Sequence, residues 1–233
     1  MRIDIISANV NILESVIKNG LIGRAISGGY IEIHLHNLRD YSEGNYRQID
    51  DSLYGGGAGM VLKPEPFFKC ISELTEKNVY DEIIYFSPQG KLFDQKMANN
   101  YSLKNNILIL AGHYKGIDQR VIDKFVTSEI SIGEYVLSCG DIASLVFADA
   151  VARLIPGVLN DAESALTDSF QDEEIFDAPV YTKPEIYEGL KVPEILLSGN
   201  HKLIAEWRKE KGKENYNKYI SKNNSQIEDK NNK

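Results

Sequence analysis

The stretch TSEISIGEYVLSCGD, residues 127–141, carries the clearest indication of the fold. Gly133 and Gly140 bracket an apolar run that is too short for a typical helix and too irregular for a simple strand. The ionisable side chains between these two glycines are Glu134, Tyr135 and Cys139. A loop of this kind offers a ligand mainly aliphatic contacts and its own backbone groups.

Short, continuous apolar runs precede this loop in the chain. IIYF (83–86) and ILIL (107–110) are typical of strands that are buried on both faces of a parallel sheet. RIDII (2–6) and SEISI (128–132) are weaker strand candidates. Helical patterns alternate with the strands, at residues 11–27, 64–76, 92–101, 117–126 and 141–156. This alternation predicts an α/β fold with a parallel sheet. In the last of these helices, we expect Asp141 as the N-cap and Pro156 as the stop.

Composition narrows the class of protein. The 233 residues suit one α/β domain with a small appendage, or two modest domains. No segment approaches the roughly 20 apolar residues of a membrane span, and the N-terminus lacks the apolar core of a signal peptide. The two cysteines, Cys70 and Cys139, have no CxxC partners, which argues against a disulfide framework or a zinc site. We therefore expect a soluble, cytoplasmic protein.

Charge is distributed unevenly along the chain. The formal net charge is −8, and residues 161–178 hold seven acids and no base. This acidic segment is typical of a flexible linker. Residues 201–213 carry five Lys and Arg with two Glu, and such a patch could hold phosphates. A net-acidic chain nevertheless gives no compositional support for nucleic-acid binding.

Glycine-containing turns follow several of the predicted strands. SPQGK (87–91) and AGHYKGIDQR (111–120) each come directly after a buried run, where open α/β sheets place their ligands. YGGGAGM (54–60) permits close backbone approach, but it matches neither a P-loop nor GxGxxG, and it could equally be a tight surface loop. Together with the 127–141 loop, these turns predict a cofactor pocket that is read largely by backbone amides and carbonyls.

Other candidate sites have less support from the residues. His34 and His36 share one face of a predicted strand, but no nearby cysteine completes a metal site, so an ordinary polar face is favoured. Cys139 has no evident base that would activate it as a nucleophile.

Several ordered segments carry a resemblance to a known family. They include RDYSEGNYRQIDDSLYGGGAGMVLKPEP, SPQGK, GHYKGIDQR, EISIGEYVL, DAVARLIPGVL and DSFQDEE. From about residue 1 to 210 the chain resembles bacterial tRNA (guanine-37-N1)-methyltransferases. The resemblance implies a SPOUT domain with a deep trefoil knot, a feature that general rules of chain topology would argue against. It also implies a homodimer whose active sites are each built from both subunits.

The resemblance also implies a division of the chain. It places the SPOUT domain at residues 1–160, the acidic flexible linker at 161–178 and a small helical C-terminal domain at 179–215. A disordered tail is expected at 216–233. The implied partners are a tRNA substrate and a second copy of the chain, with no membrane.

In the resembled family, the 127–141 loop binds S-adenosylmethionine, the implied methyl donor, and Mg²⁺ is a further candidate cofactor. The implied cofactor-binding residues are Tyr85, Ser87, Pro88, Gly112, Lys115, Gly116, Ile132, Gly133, Glu134, Tyr135, Val136, Leu137 and Gly140. Adenine needs directional donors and acceptors at its edge and apolar contacts at its faces, and a loop of aliphatic residues with available backbone groups supplies both.

Two catalytic residues follow from the resemblance. Asp168 matches the general base that removes the N1 proton of guanine, and Arg153 matches the arginine that supports the purine. From the residues alone, Asp168 is one of seven acids in a linker and reads as solvated charge.

The chain departs from the family pattern at several positions. Lys115 stands where many members have Glu, and this reversal of charge could alter how the amino-acid part of the cofactor is held. Cys139 stands where glycine is common, and Ala143 where proline is common. Two alternatives stay open: a SPOUT enzyme that methylates the ribose 2′-oxygen, and a non-catalytic RNA-binding module.

Overall fold

The computed structural model describes residues 1–159 and 175–231. By its internal contacts the chain divides into two compact units, Met1–Ala162 and Glu163–Lys233. No helix in the described part of the chain is long and apolar enough to cross a membrane.

The first unit is built on a parallel sheet whose strand order is β2-β1-β6-β5-β7. Its strands are β1 (Arg2–Ser7), β2 (Glu32–Asn37), β5 (Glu82–Leu92), β6 (Asn106–Leu110) and β7 (Ser128–Ser131). A separate antiparallel pair consists of β3 (Asp50–Ser52) and β4 (Met60–Leu62). The expected α/β fold with a parallel sheet is confirmed.

Helices cover both faces of this sheet. They are α1 (Val10–Ile17), α2 (Gly20–Ser27), α3 (Pro64–Lys77), α4 (Gln95–Ser102), α5 (Gln119–Phe125) and α6 (Gly140–Ala152). The single helix expected at 11–27 is two helices, because the chain turns at Asn19 and Gly20 adopts a φ of +63°. The expectation that Asp141 caps α6 is wrong. Cys139 occupies the N-cap without a side-chain hydrogen bond, and Asp141 lies buried in the first turn.

Alternate residues of the central strand β6 enter two different cores. Ile107 and Ile109 pack on one face with residues of α1, α2 and α6, whereas Leu108 and Leu110 pack on the other with residues of α3 and α5. All four side chains are fully buried. This two-sided burial explains why the strand reads as an unbroken apolar run.

The second unit contains a short antiparallel pair and two helices. These elements are β8 (Ile186–Tyr187), β9 (Leu190–Lys191), α7 (Glu194–Leu197) and α8 (His201–Asn231). The tail expected to be disordered from residue 216 continues α8 instead. Packing accounts for the first turn of this extension, since the rings of Tyr216 and Tyr219 lie 5.4 and 5.0 Å from the ring of Phe176.

Asp4 is a fully buried carboxylate in the middle of β1. Its oxygens accept hydrogen bonds from Arg2 Nε at 2.6 Å and Nη2 at 3.0 Å, and lie 2.7 Å from His36 Nε2. Burial by itself would raise the pKa of Asp4, but the bonds from His36 and Arg2 outweigh it and lower that pKa to about 2. The carboxylate of Asp4 is therefore the structural partner of His36.

We expect the Asp4 carboxylate to stabilise the fold in a pH-dependent way. Because its folded pKa lies below the unfolded value, its contribution is full above about pH 4 and is lost as the pH falls towards 2. The shift corresponds to about 2 kcal/mol of unfolding free energy. Urea unfolding of wild type and Asp4→Asn at several pH values measures this contribution.

Asp4→Asn should have a lower unfolding free energy than wild type at pH 7. Its unfolding free energy should also fall less than that of wild type as the pH is lowered. Glu76→Gln, which removes an exposed carboxylate from the same unit, serves as the control. Parallel stability curves for wild type and Asp4→Asn between pH 5 and 2 would contradict this account.

Candidate cofactor site

A cavity of about 290 Å³ lies at the carboxyl ends of β5, β6 and β7. The turn after β6 and the loop after β7 meet there with residues of β5, as the sequence predicted. Of the predicted cofactor-binding residues, those that line the cavity are Tyr85, Ser87, Pro88, Gly112, Lys115, Gly116, Ile132, Gly133, Tyr135, Val136, Leu137 and Gly140. Glu134 is not among the lining residues that the structure describes.

The β5 wall of the cavity is a bulge. Phe86 and Lys91 both pair with Ile130 on β7. Residues 87–90 between them therefore bulge out of the strand pairing. Gly90 is required at the return, because a Cβ there would lie 2.5 Å from the backbone nitrogen of Ile130. The bulge turns Ser87 and Pro88 into cavity wall.

The second wall is the turn that follows β6. The Gly116 amide donates to the His113 carbonyl, and Tyr114 and Gly116 have positive φ values of 57° and 110°. The buried ring of Tyr85 lies against this turn, so that a Cβ on Gly116 would approach its hydroxyl to 2.7 Å. Burial raises the pKa of Tyr85, opposed by a hydrogen bond from the Ile117 backbone, so the phenol is neutral at pH 7.

The third wall is the loop between β7 and α6. The Ser131 hydroxyl donates to the Gly133 carbonyl at 3.0 Å, and the Tyr135 amide donates to the same carbonyl at 2.9 Å. The loop ends where the Gly140 amide donates to the Gly112 carbonyl at 2.7 Å. A Cβ on Gly140 would lie 2.8 Å from the Gly112 nitrogen. The first turn of α6 therefore packs directly on the end of β6.

A polar pair, in which Asp141 is buried and His113 is partly exposed, lies behind this contact. His113 Nε2 lies 2.6 Å from Asp141 Oδ2, and the other oxygen of Asp141 is buried without a partner among the described residues. Cys139 Sγ is close to both, since the three ligand atoms lie within 4.8 Å of one another. This His, Cys and Asp set has the chemistry of metal ligands. His113 and Tyr114 also line the cavity and were not among the predicted cofactor-binding residues, although both lie in the AGHYKG turn.

The model of the family described as tRNA (Guanine-1)-methyltransferase TrmD matches residues 1–222 of this chain. The chain belongs to this family. It is 57% identical over 208 residues to the tRNA (guanine-N(1)-)-methyltransferase of Christiangramia forsetii, covering 89% of this chain and 92% of that protein. It is 53% identical over 214 residues to the protein of the same description from Chlorobaculum tepidum, covering 92% and 93%. The crystal structure of tRNA (m1G37) methyltransferase from Aquifex aeolicus superposes with a TM-score of 0.78 at 37% identity, covering 94% and 92%.

Of the two predicted catalytic residues of this tRNA (guanine-1)-methyltransferase family member, Arg153 is among the described residues and Asp168 is not. Arg153 directly follows α6 and is partly buried, and it is not among the described residues that line the cavity. Asp168 lies outside the described residues, as does most of the 161–178 segment. The roles of both residues stay predictions.

Gly140→Ala tests the close contact between α6 and β6. The new Cβ would meet backbone atoms of Gly112 and Ala111, which cannot move as a side-chain tip can. Forcing these elements apart should lower the unfolding free energy by about 2 kcal/mol and weaken binding of S-adenosylhomocysteine, the demethylated cofactor. Thermal unfolding and isothermal titration calorimetry measure the two effects.

Gly28→Ala is the matched control. Its Cβ would lie closest to the edge of the Tyr30 ring, 2.6 Å from Cε2, and this 42% exposed side chain can move away. If Gly140→Ala proved no more harmful than Gly28→Ala, the α6–β6 contact would not constrain the fold or the cavity.

Proposed function

We propose that the protein transfers a methyl group from S-adenosylmethionine to N1 of guanine 37 in tRNA. The observation that carries this proposal is a single cavity, built from three strand-end segments, in a chain that matches the family model over residues 1–222. The position of the target guanine in the tRNA, nucleotide 37, is inferred from the Aquifex aeolicus relative, a tRNA (m1G37) methyltransferase.

The residues present fit an adenosine-containing cofactor. The cavity is close to the lower limit of small-molecule sites, roughly 300–1,000 Å³. Its walls combine aliphatic side chains, such as Ile132, Val136 and Leu137, with backbone that approaches closely at glycines. Apolar faces with nearby amides and carbonyls suit a flat heteroaromatic ring with donors and acceptors at its edge.

When bound, S-adenosylmethionine supplies an electrophilic methyl group on a sulfonium. In the proposed mechanism Asp168 accepts the N1 proton of guanine as the nitrogen forms its bond to the methyl carbon. The bound cofactor would supply the methyl group and keep the electron pair of the sulfur–carbon bond, so that a neutral thioether would remain. Arg153 donates hydrogen bonds to O6, where negative charge develops as the proton leaves.

The proposal includes the finer features of the family fold. In the first unit, β6 lies between β1 and β5, and the chain after β7 returns to the end of β6 at Gly140. This return supports a trefoil knot of the SPOUT type. We assign the second unit as the small C-terminal domain, and we assign the acidic 161–178 segment as the linker that carries Asp168.

Cations in the second unit support the proposal that it contacts tRNA. Lys183, Arg208 and Lys209 line a cavity of about 1,040 Å³ there, together with the acidic residues Asp177 and Glu185. Clustered cations of this kind suit contacts with phosphates, which contribute affinity without reading sequence.

Exposed apolar residues support the proposed homodimer. Ile12 and Val16 lie one turn apart on α1, and Ile142 and Val146 lie one turn apart on α6. All four are between 36% and 46% exposed, and the two helices contact each other. Paired apolar positions on adjacent helices suit burial against a second copy.

Methyl transfer to a tRNA transcript with G37 tests the function. Asp168→Asn keeps the shape of the side chain but cannot accept the proton, so single-turnover transfer should fall about 10²- to 10⁴-fold. Cofactor affinity should change little. Asp172→Asn, in the same acidic segment, is the matched control, and its transfer rate should stay near wild type.

Primer extension locates the methyl group, because a methyl on the Watson–Crick face of G37 stops the enzyme there. A methyl on the ribose 2′-oxygen would contradict the proposed position, and no methyl transfer would support the binding module. If Asp168→Asn transferred methyl at a near-normal rate while Asp172→Asn was slow, Asp168 would not be the general base. If the rate of methyl transfer were unchanged in EDTA, Mg²⁺ would not be a cofactor of the reaction.

Val146→Asp tests the dimer. A carboxylate buried in an apolar interface without a partner is strongly unfavourable, so the variant should become monomeric and inactive while keeping its fold. Light scattering should report about 52 kDa for wild type and about 26 kDa for the variant, from the chain mass of 26.2 kDa. Leu103→Asp, at an 81% exposed position outside α1 and α6, should stay dimeric. A monomeric wild type with full activity would refute the proposal.

A further inference from the structure

The charge of the cofactor cavity is carried by few side chains. Among the described residues that line it there is no Asp or Glu, and its cationic or titratable nitrogen groups belong to Lys115 and His113. His113 is already engaged, since its Nε2 lies 2.6 Å from Asp141. Lys115 is therefore the cation that remains available to a ligand in this cavity.

Backbone contacts fix the position of Lys115. Its amide donates to the Met60 carbonyl at 2.9 Å, and the carbonyl of the next residue, Gly116, accepts from the Leu62 amide at 3.0 Å. These two bonds tie the turn after β6 to the strand β4. The Lys115 backbone is thus held from both sides while its side chain stays exposed.

The glycine-rich loop at 54–60 packs on the stem of the same side chain. A Cβ added to Gly59 would lie 3.1 Å from Lys115 Cγ and 3.2 Å from Cε, so the loop leaves room for this stem only because residue 59 is glycine. Lys115 forms no ion pair with another described residue. The ammonium is positioned beside the cavity, with no anion of the described chain to neutralise it.

S-Adenosylmethionine brings an anion to this cavity, because its methionine part carries a carboxylate. We propose that Lys115 is the counter-ion of that carboxylate, and that it makes the site selective for adenosyl ligands that carry one. The inference rests on the proposed function, and it assigns to Lys115 a contact that the apolar adenine pocket cannot make. A charge-assisted hydrogen bond of this kind is stronger than a neutral one.

A matched pair of ligands isolates the contact. S-Adenosylhomocysteine carries the carboxylate, and its decarboxylated analogue, S-adenosyl-3-thiopropylamine, keeps the adenosine, the sulfur and the amine but lacks the carboxylate. Calorimetric titration of the full-length protein with both ligands measures the preference. Lys115→Met keeps most of the stem and removes the charge, and Lys115→Arg keeps the charge.

Lys115→Met should weaken binding of S-adenosylhomocysteine about fivefold and change binding of the decarboxylated analogue less than about twofold. Lys115→Arg should keep most of the preference, and Lys115→Glu should reverse it. Lys96→Met, which removes an exposed lysine from α4, should leave both affinities unchanged.

Equal weakening of both ligands by Lys115→Met would overturn the inference, because the side chain would then act through packing alone. Unchanged affinity for both ligands would overturn it as well. In either case the wild-type protein would still bind S-adenosylhomocysteine, and the proposed function would stand. A wild type that bound neither ligand would refute the cofactor site, and with it this inference.

Discussion

The hydrogen bond from the Gly140 amide to the Gly112 carbonyl is the constraint on which the site depends. It fixes the start of α6 on the end of β6 at a distance that only glycine allows. With both ends of the intervening loop fixed, at β7 and at Gly140, the loop has to pass over the cavity. The polar pair of His113 and Asp141 adds a second connection between the same two elements.

In the proposed enzyme, cofactor binding and proton transfer are assigned to different parts of the chain. The cavity offers backbone groups and aliphatic surface, and none of its described lining residues is an acid. The proposed general base, Asp168, belongs to a different part of the chain, the 161–178 segment, which holds seven acidic residues and no basic one. Among the described lining residues, an S-adenosylmethionine bound as proposed would therefore meet no Asp or Glu side chain.

Much of the fold could be predicted from the sequence because burial on both sheet faces produces apolar runs such as 107–110. The position of the cavity could also be predicted, because open α/β sheets place their ligands at the turns that follow the strands. Other features depend on tertiary contacts that a local pattern does not contain. The break at Gly20, the burial of Asp141 against His113, and the extension of α8 through the packing of Tyr216 on Phe176 are of this kind. Asp168 could be singled out only by family resemblance, since its neighbours in the chain are equally acidic.

The bulge in β5 has a consequence for how the site can change. Residues 87–90 leave the sheet and rejoin it opposite the same residue, Ile130, so the pairing on either side does not depend on what the excursion contains. Gly90 is fixed by its contact with the Ile130 backbone, whereas Ser87, Pro88 and Gln89 have no role in the ladder. The wall of the pocket can therefore vary in shape and chemistry while the architecture beneath it stays constant. Small molecules that contact this wall should therefore discriminate between family members whose residues differ at positions 87–89.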